Sequence, residues 1–244
     1  MSIKFSLVFL AFFACQGVFA SPAEVSTYEI GQQIGEALEK LKIAIQKAID
    51  KAVESLNKVL ENIVEKGNEL TEQIKNKIND IVEGAKKEIQ KLVEDAKELG
   101  VDVSECVKDS DEDLENLAKG LIESAVKCVT DKVDEATGII GEAIEEIKDY
   151  VKIIGGLDEE VKKCGTGLGA IKCLGEVLAD VIKATTALPV EISKKVAEIT
   201  ALVAGLKAAM IQCATNVGID AAGQVGSIVI DVGKCVAEKI KDSQ

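Results

Sequence analysis

The chain has 244 residues, with 42 acidic side chains against 29 basic ones and a formal charge of −13. It contains no histidine, no tryptophan and no arginine. With no basic stripe and no guanidinium fork to meet phosphates, nucleic acid is disfavoured as a partner, and without histidine no Ser-His, Cys-His or His-metal centre can be assembled.

Residues 1–20 read as a secretory signal peptide. Lys4 gives the positive start, Phe5 to Cys15 a short apolar run, and Val18-Phe19-Ala20 a small-residue cleavage site. A mature chain is expected from Ser21, secreted and extracellular. Cys15 leaves with the leader, and the remaining cysteines are Cys106, Cys128, Cys164, Cys173, Cys213 and Cys235. An even number in an exported chain predicts three disulfides. Zinc is excluded by the missing histidine and the absence of any CxxC pair. Scarce aromatics and only 2 prolines favour helices with a core of Ile, Leu, Val and Ala.

The fold expected is all-α: a long amphipathic helix over residues 21–100, then a disulfide-stapled apolar helical bundle over residues 101–244. Ser26-Thr27 can cap a start near Tyr28, with Glu29 at the positive helix end. Residues 34–99 are then six eleven-residue units, beginning IGEALEKLKIA and ending IQKLVEDAKEL. Unit positions 1, 4, 5 and 8 fall within an arc of about 100°, one apolar stripe. That stripe carries Ile34, Leu38, Leu41, Ile45, Ile49, Leu56, Leu60, Ile63, Leu70, Ile74, Ile78, Ile81, Ile89 and Leu92. Eleven residues make three turns, so the stripe barely drifts along the axis. Gly67-Asn68 could end one helix and cap another. Yet the register passes through Gly67 without insertion or deletion, which favours a continuous helix over a hairpin.

Gly100 should end this helix, with 101–109 as connector. The acids Asp109 to Asp113 resemble the start of a calcium loop, but Leu114 stands where glycine is required and Gly120 where the closing glutamate belongs. They read instead as acids on a helix N-terminus. Helical spacing runs from Leu114 to Ala136, resumes after Gly138 and should stop at Gly155-Gly156. Gly165-Thr-Gly167-Leu-Gly169-Ala170 matches a dinucleotide pattern on paper, but no hydrophobic strand precedes it, so it reads as a turn between helices. A run over 171–188 should stop at Leu188-Pro189, and further runs cover 190–217 and 219–240. Glu198, Lys207, Asp220 and Asp231 interrupt the apolar stretches, so the chain is not expected to be an integral membrane protein.

The cysteines are spaced 22, 36, 9, 40 and 22 apart, nearly a palindrome. Cys128 would sit about 25 Å along its helix, out of reach of Cys106. Cys164–Cys173 is the natural local bridge. The other four should join distant helices, with connectivity left open.

No catalytic, cofactor or metal site emerges, and the protein is expected not to be an enzyme. Three roles remain. The stripe packs on the protein's own bundle or drives self-association, as in a structural or extracellular-fluid protein. Alternatively, it binds a lipid surface. The period over 34–99 is similar to that of exchangeable apolipoproteins, insect apolipophorin and desiccation-protectant proteins, a resemblance of pattern that implies lipid-surface binding. Third, the glycine- and alanine-rich bundle holds a small hydrophobic ligand.

Overall fold

The structure is a computed structural model that describes residues 27–165 and 168–243. The signal-peptide reading lies outside these residues, as does part of the 165–170 turn. Four helices follow in chain order: α1 (Thr27–Glu98), the single turn α2 (Ser104–Val107), α3 (Ser110–Lys163) and α4 (Leu168–Ser243). Three of them are long, at 72, 54 and 76 residues. They pack side by side as one three-helix bundle stapled by three disulfides.

Paired residues fix the directions. Lys86 of α1 meets Glu115 of α3, and Gly67 faces Val133, so α1 and α3 are antiparallel. Cys128 with Cys213 and Lys195 with Glu146 make α3 and α4 antiparallel. Lys77 lies against Gly218 and Leu92 against Gly233, so α1 and α4 run parallel at constant offset.

The eleven-residue period is the plan of the core. In α1, Leu41, Ala52, Ile63, Ile74, Ala85 and Ala96 are all buried, each eleven after the last. A second row runs Ile34, Ile45, Leu56, Gly67, Ile78 and Ile89. The same period continues into α3 as Leu114, Ala125, Ala136 and Ile147, and into α4 as Val177, Leu188, Ile199, Met210, Ala221 and Val232. Because all three helices share 3.67 residues per turn, their apolar faces stay opposed over the whole length without the left-handed winding that a seven-residue period imposes. The alanines at many core positions let the axes approach closely.

Several expected breaks in α3 and α4 are not breaks, whereas α1 runs unbroken through buried Gly67, as its register predicts. A Cβ there would stand 2.7 Å from Val133 Cγ2. The glycine serves close helix approach, not a turn. α3 continues through Gly138 and through Gly155-Gly156 to Lys163. Leu157 and Val161 beyond the pair still pack on the core, which offsets the helix penalty of two glycines. The runs 171–188, 190–217 and 219–240 are one helix, α4, passing through Pro189 and Gly218. Leu188 and Ile192, both buried, hold the helix against the core on either side of the proline. The chain reverses instead where glycine adopts positive φ, at Gly100 (74°) and Gly165 (66°).

Candidate functional site

Every stripe residue of α1 faces inward. Ile34, Leu41, Ile45, Ile49, Leu56, Ile63, Leu70, Ile74, Ile78 and Ile89 are buried, and Leu38, Leu60, Ile81 and Leu92 are half-buried against the core. The stripe is therefore enclosed by α3 and α4 and is not a free surface.

The cysteines form Cys106–Cys235, Cys128–Cys213 and Cys164–Cys173, with Cα–Cα distances of 5.6, 6.3 and 5.5 Å. The pairs are nested, as an antiparallel hairpin requires. That nesting explains the palindrome: 22 residues from Cys106 in α2 to Cys128 in α3 match the 22 from Cys213 to Cys235 in α4. On α4 the spacing is two eleven-residue units, so Cys213 and Cys235 leave from the same helix face.

The ion pairs between helices lie on the surface. Ion pairs link α1 to α3 (Lys86–Glu115, 2.7 Å), α4 to α3 (Lys195–Glu146) and α4 to α2 (Lys239–Glu105, 3.0 Å). The hydrogen bond from Lys86 lowers the Glu115 pKa, and the same bond raises that of Lys86. These are solvated structural pairs with no directed chemistry. Asp111, Glu112 and Asp113 occupy the first turn of α3, as acids on a positive helix end do. Among the described residues, no three carboxylate or sulfur side chains converge on one point.

Two surface features remain. Open grooves run along the helix seams. One of about 460 Å³ lies between α1 and α4, with Lys47 and Lys51 on its rim and Ala48, Pro189, Ile192 and Ser193 along it. Another of about 630 Å³ follows the α1–α3 seam past Ile49, Val53 and Val151. Both are open along one side, unlike the concave pockets that bury most of a small ligand.

The second feature is the outer face of α4. From Val190 to Ile230, an arc of about 100° carries no charged side chain. It presents exposed Ile211, Ile219 and Ile230 among alanines, threonines and glycines, with Ile182 continuing the line toward the N-terminal end. By length and composition α4 is apolar enough to cross a membrane, yet only 17% of its most apolar stretch is buried. The charges at Glu198, Lys207, Asp220 and Asp231 therefore do not exclude such a stretch as the sequence reading held. Their effect is to leave one face charge-free. Sequence reasoning missed this face because it followed the buried stripe. The signal was there at the same period: Ala197, Ala208, Ile219 and Ile230 stand eleven apart.

No protein-family model matches the chain, and comparison with curated proteins finds no match. Among solved structures, it is similar to a computationally designed three-helix bundle at 16% identity and a TM-score of 0.43, over 87% of this chain and 98% of that one.

Proposed function

We propose that this chain is a secreted, non-enzymatic structural protein: a stiff three-helix rod that acts through its outer surface by associating with further copies in an extracellular fluid or secretion. The observation that carries the reading is the division of apolar surface. The α1 stripe is consumed within the bundle, while α4 keeps a long uncharged outer face. Three disulfides and the leader-like N-terminus support an oxidising, extracellular setting.

Scattering from the mature protein, with disulfides intact, tests it. Helices of 72 and 76 residues running side by side give a longest dimension of about 110 Å for the monomer. The expected result is a rod whose mass rises with concentration toward twice the monomer. A globule of much smaller dimension, or a monomer at every concentration, would sink the proposal.

The exposed face of α4 also favours a second reading, attachment to a lipid surface. Flotation with neutral phosphatidylcholine vesicles discriminates: a rod that floats with vesicles and never changes mass in solution selects lipid.

A further inference from the structure

We infer that the uncharged face of α4 is a homodimer interface in which two rods lie parallel about a two-fold axis running along their length. The inference deepens the assembly reading and rests on it.

The first ground is area. Residues 190–230 make about 60 Å of helix. At a helix width of about 10 Å this is on the order of 600 Å² per copy, which with its charged margins approaches the roughly 800 Å² per partner of a standard interface. Within that area exposed Ile211, Ile219 and Ile230 stand proud of small neighbours. Alanine, threonine and glycine between them leave room for the partner's isoleucines, giving the self-complementary relief an isologous contact requires.

The second ground is charge, and it selects the orientation. The margin on the α1 side is net basic. Lys47 and Lys51 rim the α1–α4 groove, Lys58 follows eleven residues after Lys47, and the Lys77 ammonium lies beside Gly218, while Glu69 and Asp80 continue the Lys47–Lys58 row. Among the described residues Lys47, Lys51 and Lys77 make no ion pair, and the partner of Lys58 is exposed Glu54 on its own helix. The opposite margin, toward the disulfide row, is net acidic, with exposed Glu198 and Asp220 beside a single lysine, Lys194. Constant α1–α4 register places Lys77 level with Asp220 and Lys58 level with Glu198. A two-fold along the rod brings the basic margin of one copy onto the acidic margin of the other at equal height. A two-fold across the rod would set lysines against lysines and carboxylates against carboxylates. Charge complementarity favours the parallel pair.

Sedimentation equilibrium of the mature, oxidised protein tests it with exposed substitutions, circular dichroism confirming the fold of each. Ile219→Glu should abolish dimerisation, while Ile43→Glu, on the outer face of α1, should leave it unchanged. Lys58→Glu/Lys77→Glu and Glu198→Lys/Asp220→Lys should each weaken self-association by about tenfold or more. An equimolar mixture of those two variants should recover wild-type dimerisation, since each repulsive margin then meets its complement. A dimer indifferent to Ile219→Glu overturns this surface and leaves the assembly reading standing. Charge reversals without effect on a dimer that Ile219→Glu does abolish overturn the parallel orientation. A monomer at every concentration overturns both the surface and the assembly reading. So does a monomer that floats with neutral vesicles, in which case the face belongs to lipid.

Discussion

Gly67 shows how one residue's role depends on what faces it. Glycine in a helix interior costs about 1 kcal/mol relative to alanine, so an exposed helical glycine should improve on replacement. Gly84, with open space at its Cβ position, is such a site, and Gly84→Ala should raise stability by about 0.5–1 kcal/mol. At Gly67 a Cβ meets Val133 Cγ2 at 2.7 Å, a methyl on a stiff β-branched side chain. Overpacking there costs about 1–3 kcal/mol, and Gly67→Ala should lower stability despite better propensity. In a Val133→Ala background the sign should reverse. Denaturant unfolding of the four proteins in this cycle reads the result directly, and a stabilising Gly67→Ala in the wild-type background would refute the close-approach role.

The Lys86–Glu115 pair gives a pH prediction at the same scale. Its hydrogen bond lowers the Glu115 pKa and raises that of Lys86. The glutamate's contribution is present above its unfolded value of about 4.3 and is lost as pH falls through the lowered folded value. The lysine's contribution is lost only as pH rises through its raised folded value, far into alkali. Lys86→Met should therefore melt below wild type at pH 7, and the gap should close as pH falls through the glutamate's lowered value and the carboxyl becomes neutral. A gap that persists in acid would mean that the lysine acts through its aliphatic stem alone.

At the level of the element, α4 carries the clearest conflict between local preference and tertiary context. Pro189 has no N–H, so the Thr185 carbonyl loses its helical donor. Three hydroxyls bond to carbonyls around the site: Thr185 to Val181 (2.8 Å), Thr186 to Lys183 (3.0 Å) and Ser193 to Pro189 (2.9 Å). Buried Leu188 and Ile192 hold the helix course across it. Pro189→Ala should restore the missing bond and stabilise the protein by about 1–3 kcal/mol, seen as a higher denaturant midpoint. A fall in midpoint would show that the rod needs the proline's geometry there. The same logic explains why Gly155-Gly156 does not stop α3. Local breakers decide a helix end only where no apolar face continues beyond them, and Leu157 and Val161 continue it.

For the whole molecule, the staples set how the rod resists unfolding. Cys106–Cys235 and Cys128–Cys213 close sequence separations of 129 and 85, against 9 for Cys164–Cys173. Because the cost of closing a loop grows with its logarithm, Cys128→Ala/Cys213→Ala should lose about 2–4 kcal/mol, more than Cys164→Ala/Cys173→Ala. Equal losses, measured by denaturant unfolding of the two double variants, would point to native-state contacts in place of chain entropy. A long bundle needs such help. Each core layer touches only its neighbours along the axis, so an end of the rod can fray without disturbing the middle, and staples near both ends of the α3–α4 hairpin oppose that.

Much of this was legible in the sequence because it is written in periods and counts. The helical fold followed from the eleven-residue spacing and the near absence of proline and aromatics, and continuity through Gly67 followed from an unbroken register. The Cys164–Cys173 bridge followed from glycines between the two. The period in α3 and α4 was harder to see, because Ala125, Ala136 and Ala221 fill core positions that hydropathy alone does not mark. The remaining disulfide pairing waited for the direction of the helices, since the same palindrome suits a nested hairpin or a duplication.

What the residues determined by themselves was local: a helix forms wherever an apolar stripe repeats at 3.67 residues per turn, whatever it later meets. Only the tertiary structure decided which stripe is covered. The face of α1 that looks built for a partner is buried, because two further helices of the same period oppose it along its length. The face of α4 that carries no charge is left outside, because a three-helix bundle has no fourth helix to close over it.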